Sequence, residues 1–148
     1  MTAVAPPSYE DEFSLYSLAT EYLHAAEILI ETPVVKLNVS IVAFYLLGHA
    51  AELLMKSCLY KAGVPLKELR LDVGHDLEQL VNRVQDVGLH PPLELPNILA
   101  LAKNYKAKST EYRELKAMSF PPKELLLHEV QALSSRVFNN VAIWPSEA

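Results

Sequence analysis

The chain is poor in the residues that several common functional sites need. Its 148 residues include four glycines and a single cysteine, Cys58. One cysteine excludes an internal disulfide framework and suits a reducing compartment, and zinc-finger spacing is absent. There is also no glycine-rich phosphate loop and no Gly-x-Ser-x-Gly turn. On a buried hydrophobic helix, Cys58 is expected to be core rather than a nucleophile.

Basic charge is also scarce. The formal net charge is −5, so general affinity for nucleic acid is not expected. Half of the residues are hydrophobic, and this excess predicts an additional buried surface, most simply the interface of a homodimer. The start, Thr2–Pro7, has neither the basic flank nor the apolar core of a targeting peptide, and we expect a cytoplasmic protein.

Strand-type alternation is lacking, and helical periodicity replaces it. The stretch from Leu37 to Tyr60 is apolar on nearly every side of a helical wheel, which indicates a buried central helix. A membrane span is the alternative interpretation, but the carboxylate of Glu52 would be costly in hydrocarbon. We therefore predict a soluble core helix with no membrane partner, on which Glu52 and Lys56 pair at i,i+4.

Four further helices are expected around this one. We predict starts at a Ser8 cap, at an Asp76 and Gln79 capping box, at Pro96 and at Pro121-Pro122, and stops at Pro33, Gly63 and Gly88. Their apolar stripes are Leu15, Ala19, Tyr22, Ala26 and Leu29; Leu77, Leu80, Val81, Val84 and Val87; Ile98, Ala102, Tyr105, Ser109 and Tyr112; and Leu126, Val130, Leu133 and Val137. The fold prediction is an all-α, up-and-down bundle of about five helices in one domain, residues 1–148, with flexible ends at 1–8 and 143–148.

The motif His-Ala-Ala-Glu occurs twice, at residues 24–27 and 49–52. A histidine and a carboxylate at i,i+3 can share a metal ion in a helical bundle. If the first two helices form a hairpin at Pro33, however, the two histidines are offset by about 10 Å along it. We therefore expect local polar pairs and neither a metal site nor a cofactor.

Two other places leave a choice between a site and ordinary structure. Lys103, Lys106, Lys108, Arg113 and Lys116 surround Tyr105 and Tyr112, a pattern that can hold phosphate and stack a base but also fits a solvated helix face. His75 and Asp76 stand where a helix begins, which favours an anion, although Asp76 as the cap would occupy that position itself.

Several of these features together resemble the HEPN superfamily of small helical domains, most closely the branch found beside minimal nucleotidyltransferases. The residues concerned are Leu47–Lys56 on the central helix, Gly74–Leu80, Tyr105 and Tyr112-Arg113, within about residues 10–140. The resemblance implies a dimeric bundle linked to nucleotides or RNA, with Glu52 and Lys56 as the polar pair. Many members are metal-independent ribonucleases with an arginine four to six residues before a histidine on a late helix. This chain lacks that motif there; only Arg70 and His75 have the spacing, between the second and third long helices.

The main hypothesis is a non-catalytic dimeric module that binds a partner protein or a nucleotide-like ligand. Its ligand site would use Glu52, Lys56, His75, Asp76, Tyr105, Tyr112 and Arg113. One alternative is a toxin-type ribonuclease in which Arg70 holds the phosphate and His75 moves protons. Another is a structural adaptor without a ligand. Candidate partners are a nucleotidyltransferase for the first hypothesis and an antitoxin-type protein for the second, and nucleotide or RNA for both.

Overall fold

The computed structural model describes residues 12–32, 40–89, 91–106 and 120–141, and every regular element in these ranges is helical. The all-α prediction is therefore confirmed. The predicted Ser8 cap, the chain ends and the residues Ser109, Tyr112 and Arg113 lie outside the described ranges. The elements are α1 (Glu12–Glu31), α2 (Ser40–Lys61), α3 (Leu66–Glu68) with a π-helical turn (Leu69–Val73), α4 (Leu77–Arg83) with a second π-helical turn (Val84–Gly88), α5 (Pro96–Lys106) and α6 (Lys123–Val141).

Helix α2 lies at the centre of the bundle, as the sequence predicts. It packs against α1, α4, α5 and α6. Its fully buried side chains come from several faces, and they include Leu47, Leu54, Met55 and Leu59. By length and composition the stretch Ile41–Lys61 is apolar enough to cross a membrane, but 61% of its most apolar window is buried inside the bundle. Its hydrophobicity is thus largely accounted for by neighbouring helices.

The end of α2 shows why a glycine is needed at position 63. The Val64 N–H donates to the Leu59 carbonyl at 2.9 Å, and the Gly63 N–H donates to the Tyr60 carbonyl at 3.0 Å. This pair of bonds is a Schellman motif, which requires a positive φ at the residue after the helix. Gly63 has φ +107°, a conformation that side chains with a Cβ rarely adopt. The chain is thereby reversed into α3.

Helix α4 begins where the capping residue was predicted. The Asp76 carboxylate accepts the Gln79 N–H at 3.1 Å, while the N–H of Asp76 donates to the Val73 carbonyl. Only the first half of the predicted capping box is therefore formed through Gln79. Leu77, Leu80, Val81 and Val84 are buried, but Val87 is half exposed because the turn after Arg83 widens to π geometry and shifts the apolar phase.

Two long helices complete the core. Helix α6 buries the predicted stripe of Leu126, Val130, Leu133 and Val137, all at 0% exposure. Helix α5 begins at Pro96, as predicted, and the carboxylate of Glu129 on α6 accepts the N–H groups of Asn97 and Ile98 at 3.1 and 2.7 Å. A carboxylate at a helix N-terminus satisfies otherwise unpaired donors and complements the helix dipole. This contact fixes α5 against α6.

On α1 the predicted stripe is only partly correct. Ala19 and Ala26 are buried, and Leu23 joins them at 7% exposure. Leu15 and Leu29 are half-buried, because α1 lies at the edge of the bundle and contacts α2 and α6 on one side.

Candidate functional site

A buried carboxylate on α2 receives hydrogen bonds from three separate parts of the chain. Glu52 is 3% exposed. Lys56, one turn later on α2, donates to Oε2 at 2.7 Å. His75, which precedes α4, contacts Oε1 through Nδ1 at 2.9 Å, and the Tyr105 hydroxyl of α5 donates to Oε1 at 2.7 Å. We call these four residues the Glu52 cluster.

The cluster keeps Glu52 ionised although it is buried. Desolvation by burial acts to raise the pKa of Glu52. The positive charge of Lys56, together with the hydrogen bonds from Lys56, His75 and Tyr105, outweighs that effect and holds the pKa below its ordinary value of 4.5. At neutral pH the site therefore contains a buried carboxylate anion.

That charge state determines where the protons lie. An ionised carboxylate can only accept hydrogen bonds, so Nδ1 of His75 must carry a proton and the Tyr105 hydroxyl must donate to Glu52. The Tyr105 oxygen then acts as an acceptor toward Nδ1 of His49, which lies 2.6 Å from it. His49 is consequently protonated at Nδ1 as well. The result is a directed chain of donors from His49 through Tyr105 to Glu52.

Aromatic rings surround this chain. The His49 ring packs between Tyr22 of α1 and Tyr45 of α2, with centroid separations of 4.6 and 5.0 Å. The ring centroids of His75 and His49 are 6.2 Å apart, with an angle of 27° between the ring planes. The His75 ring also lies edge-on to Tyr105, with a centroid separation of 6.2 Å. Tyr105 is buried and the rings of Tyr22, Tyr45 and His49 are partly buried, so they limit the movement of the side chains in the cluster. His75 is the exception in its exposure, because 55% of its side chain faces solvent.

Gly48 makes the position of Tyr105 possible. A Cβ atom at residue 48 would lie 2.5 Å from Cδ1 of Tyr105, well inside van der Waals contact. The tyrosine ring therefore rests directly on the α2 backbone, and only glycine leaves room for it. One helical turn separates Gly48 from Glu52, so this contact sets the height at which the Tyr105 hydroxyl meets the carboxylate.

A small apolar pocket opens beside the cluster. Its volume is about 150 Å³, and Lys56 belongs both to its lining and to the cluster. Arg70, from the π-helical turn after α3, contributes a second cationic side chain. The rest of the lining is formed by Leu15, Leu53, Leu66 and Leu69. The pocket, which we call the leucine pocket, thus combines an apolar wall with two positive groups.

The structure brings together four of the seven predicted ligand-site residues: Glu52, Lys56, His75 and Tyr105. Asp76 instead caps α4, and Tyr112 and Arg113 lie outside the described residues. Arg70 and His75, the alternative nuclease pair, face different surroundings, since His75 bonds to Glu52 while Arg70 lines the leucine pocket. A role for any of them in binding stays a prediction.

The two His-Ala-Ala-Glu motifs do not form a shared site. His24 lies 3.6 Å from Glu27 on the outside of α1, with 74% of its side chain exposed. His49 instead reaches Glu52 through Tyr105. Among the described residues there is no group of three or more potential metal ligands.

Sequence reasoning missed His49, Tyr22, Tyr45 and Gly48 as members of this site. A glycine inside an otherwise apolar helix was the available signal, because it often marks a close approach by another group. The chain matches no protein-family model, no curated protein and no solved structure.

Removing the cation of the cluster alone should lower the free energy of unfolding more than removing both charges of the Glu52–Lys56 pair. We expect Lys56→Met to lower the free energy of unfolding by about 3–5 kcal/mol, because it leaves the Glu52 carboxylate buried with less compensation. The double variant Glu52→Leu/Lys56→Met should cost clearly less. Urea denaturation measures both. Lys67→Met, an exposed lysine on α3, is the matched control, and equal costs for the single and double variants would contradict a buried pair.

Gly48→Ala should be destabilising although alanine is the better helix former. Placing a methyl group against the Tyr105 ring should cost about 1–3 kcal/mol by overpacking, against a gain of about 1 kcal/mol at an uncrowded helical glycine. In a Tyr105→Leu background, where the branched end can turn away, the same substitution should cost much less. Thermal denaturation of the four proteins gives the coupling, and additive effects would show that the ring does not rest on residue 48.

The stability that Glu52 contributes should disappear in acid. Its folded-state pKa lies below 4.5, so as the pH falls the unfolded chain takes up this proton first. The contribution is complete above the ordinary pKa and is lost as the pH falls through the folded value. Between about pH 5 and about pH 3 we expect the stability difference between the unmodified protein and Glu52→Gln to shrink, as measured by urea unfolding. A difference that stays constant over this range would contradict the lowered pKa.

Proposed function

We propose that this protein is a non-catalytic, HEPN-like helical module of the cytoplasm that forms a homodimer and binds a nucleotide-like ligand at the Glu52 cluster. The observation that carries the proposal is the position of His75. Its ring is held through Nδ1 by a buried carboxylate, yet more than half of the side chain faces solvent. A side chain whose orientation is fixed by a buried partner, and whose remaining surface is exposed to solvent, is suited to contact a ligand.

The surroundings of His75 favour a ligand that is anionic at one end and apolar at the other. Lys56 joins the cluster to the leucine pocket, but its charge is paired with Glu52, so the net positive charge that favours an anion there comes from Arg70. Lysine and arginine are the usual partners of phosphate oxygens. The leucine walls offer about 150 Å³, which suits one flat nucleobase rather than a whole nucleotide. A base in the pocket and a phosphate at its Lys56 end, where Lys56 connects the pocket to Glu52 and His75, satisfies both halves.

The dimer is supported by apolar side chains on the outer helices. Phe13, Leu18 and Ile28 of α1 are 44–52% exposed, and Leu125 and Phe138 of α6 are similarly open. The two helices are neighbours, with the rings of Tyr16 and Phe138 5.7 Å apart. Burying such residues against a second copy would stabilise the assembly by about 25 cal/mol per Å² of apolar surface. The hydrophobic composition of the chain points the same way.

A ribonuclease is the second candidate, and one observation favours it. A histidine that donates through Nδ1 to a carboxylate has Nε2 available in the correct form for accepting a proton, which is the arrangement of a general base. Arg70 would have to hold the phosphate from the side of the leucine pocket. Two features favour binding instead: Glu52 is shared with Lys56 and Tyr105, and the arginine–histidine motif is missing from its usual late helix.

Glycine-selective ¹⁵N labelling tests the binding proposal, because only four signals appear. Gly48 lies beneath Tyr105 and Gly74 precedes His75, so both report on the cluster. We expect AMP to shift these two signals saturably and adenosine to shift them far less. His75→Ala and Arg70→Gln should each weaken AMP binding about tenfold or more, as expected for charge-assisted bonds worth about 1.5–3 kcal/mol.

His24→Ala is the matched control, since it removes an exposed histidine from α1. Signals of Gly48 and Gly74 that do not respond to AMP would overturn the proposal. Cleavage of an RNA oligonucleotide by the pure protein, lost in both His75→Ala and Arg70→Ala, would replace it with the ribonuclease.

A further inference from the structure

A second and larger cavity lies on another face of α2. Its volume is about 420 Å³, within the range of small-molecule sites. It is bounded by the end of α2, the π-helical turn after α4 and the last turns of α6. The lining residues are Cys58, Lys61, Ala62, Val87, Gly88, Leu89, Arg136, Asn139 and Asn140. We call it the Arg136 cavity.

The polar lining is made of cations and amides. Lys61 and Arg136 supply two positive charges, Asn139 and Asn140 supply two amides, and no carboxylate belongs to the lining that the structure describes. For a chain of net charge −5, in which acidic residues outnumber basic ones, this segregation is unusual. A cleft lined by charge of one sign attracts ligands of the opposite sign.

Two of these side chains are already held in place. The Asn140 amide donates to the Gly88 carbonyl at 3.0 Å and contacts the Cys58 sulfur at 3.5 Å, which ties α6 to the π-helical turn. Arg136 donates one N–H to the carbonyl of Pro91. A guanidinium has five N–H donors, so this single contact orients Arg136 without exhausting it. Pre-oriented donors lose less entropy when a ligand binds.

We propose that the Arg136 cavity binds a small organic phosphate. A phosphomonoester carries a charge of about −1.5 to −2 at pH 7, and Lys61 and Arg136 bring positive charge to the lining of the cavity. Its oxygens can accept from a guanidinium fork, an ammonium and an amide at the same time. The cavity is larger than a phosphate ion, and Ala62, Val87 and Leu89 give its remaining wall an apolar surface for the organic part.

The ligand binds reversibly, without a covalent step at Cys58. Burial raises the pKa of the Cys58 thiol, and the residue is 1% exposed. The thiol also donates to the Gly88 carbonyl at 3.5 Å. A protonated, enclosed sulfur is a poor nucleophile, so Cys58 serves as part of the cavity floor.

The Arg136 cavity is independent of the Glu52 cluster. At about 100° per residue, Cys58 is rotated by about 240° around α2 from Glu52. Leu53 and Lys56 line the leucine pocket, whereas Cys58, Lys61 and Ala62 line the Arg136 cavity. A phosphate site in the Arg136 cavity can therefore be tested independently of the function proposed for the cluster.

Glycine-selective labelling separates the two sites in one experiment. Gly88 lines the Arg136 cavity, while Gly48 and Gly74 lie at the cluster. We expect phenyl phosphate to shift the Gly88 signal saturably. Inorganic phosphate should bind the same place more weakly, and benzoate or sodium chloride at equal ionic strength should have little effect.

Arg136→Gln and Lys61→Gln should each raise the Kd for phenyl phosphate, measured from the Gly88 signal, about tenfold or more. Arg83→Gln is the matched control, because Arg83 pairs with Glu68 away from the cavity. A Gly88 signal that does not shift with phenyl phosphate, or a shift that is unchanged in both cavity variants, would overturn the proposal. A response confined to Gly48 and Gly74 would overturn it as well, while leaving a ligand at the cluster. The spectra of the unliganded variants show whether each protein is folded.

Discussion

The burial of one carboxylate constrains much of this molecule. Moving an ion from water into a protein interior costs several kcal/mol, and the cost is offset only where donors reach the charge with good geometry. Glu52 obtains its donors from α2 itself, from the segment before α4 and from α5. These three parts are separated by long stretches of chain. Their mutual positions are therefore set by a polar contact as well as by the apolar core.

Regular helices and their apolar faces could be predicted from sequence because those signals are local. The stripe of α6 is fully buried, and Gly63 and Asp76 occupy the predicted helix ends. The Glu52–Lys56 pair is also local, since i,i+4 residues share a helix face. Where the phase of a helix changes, as in the π-helical turn after α4, the local rule fails and Val87 becomes exposed.

The assembly of the site could not be predicted in the same way. His75 is 23 residues from Glu52 and Tyr105 is 53 residues from it. Periodicity indicates that Tyr105 faces the core, but not that its hydroxyl reaches a carboxylate. The position of the Tyr105 hydroxyl depends on Gly48, because the absence of a Cβ there leaves space for the tyrosine ring. A glycine inside a helix identifies a close approach without identifying the group that approaches.

Both π-helical turns adjoin a cavity, and this connects the irregular backbone with the candidate sites. Leu69 and Arg70 of the first turn line the leucine pocket, and Val87 and Gly88 of the second line the Arg136 cavity. A π-helical turn inserts a residue and weakens the regular hydrogen-bond ladder, a feature found frequently at functional sites.

A buried ion pair is often no more stabilising than apolar residues of the same volume. Packing alone would thus have been served as well by leucine at position 52. The charge at Glu52 instead fixes the tautomer of His75 and holds its ring at the surface, which an apolar residue could not do. The buried charge of Glu52 and the π-helical turn that carries Arg70 are both departures from an ideal helical core. Lys56 connects them, because it pairs with Glu52 and lines the leucine pocket together with Arg70. Their coincidence favours a ligand-binding role over a purely structural one.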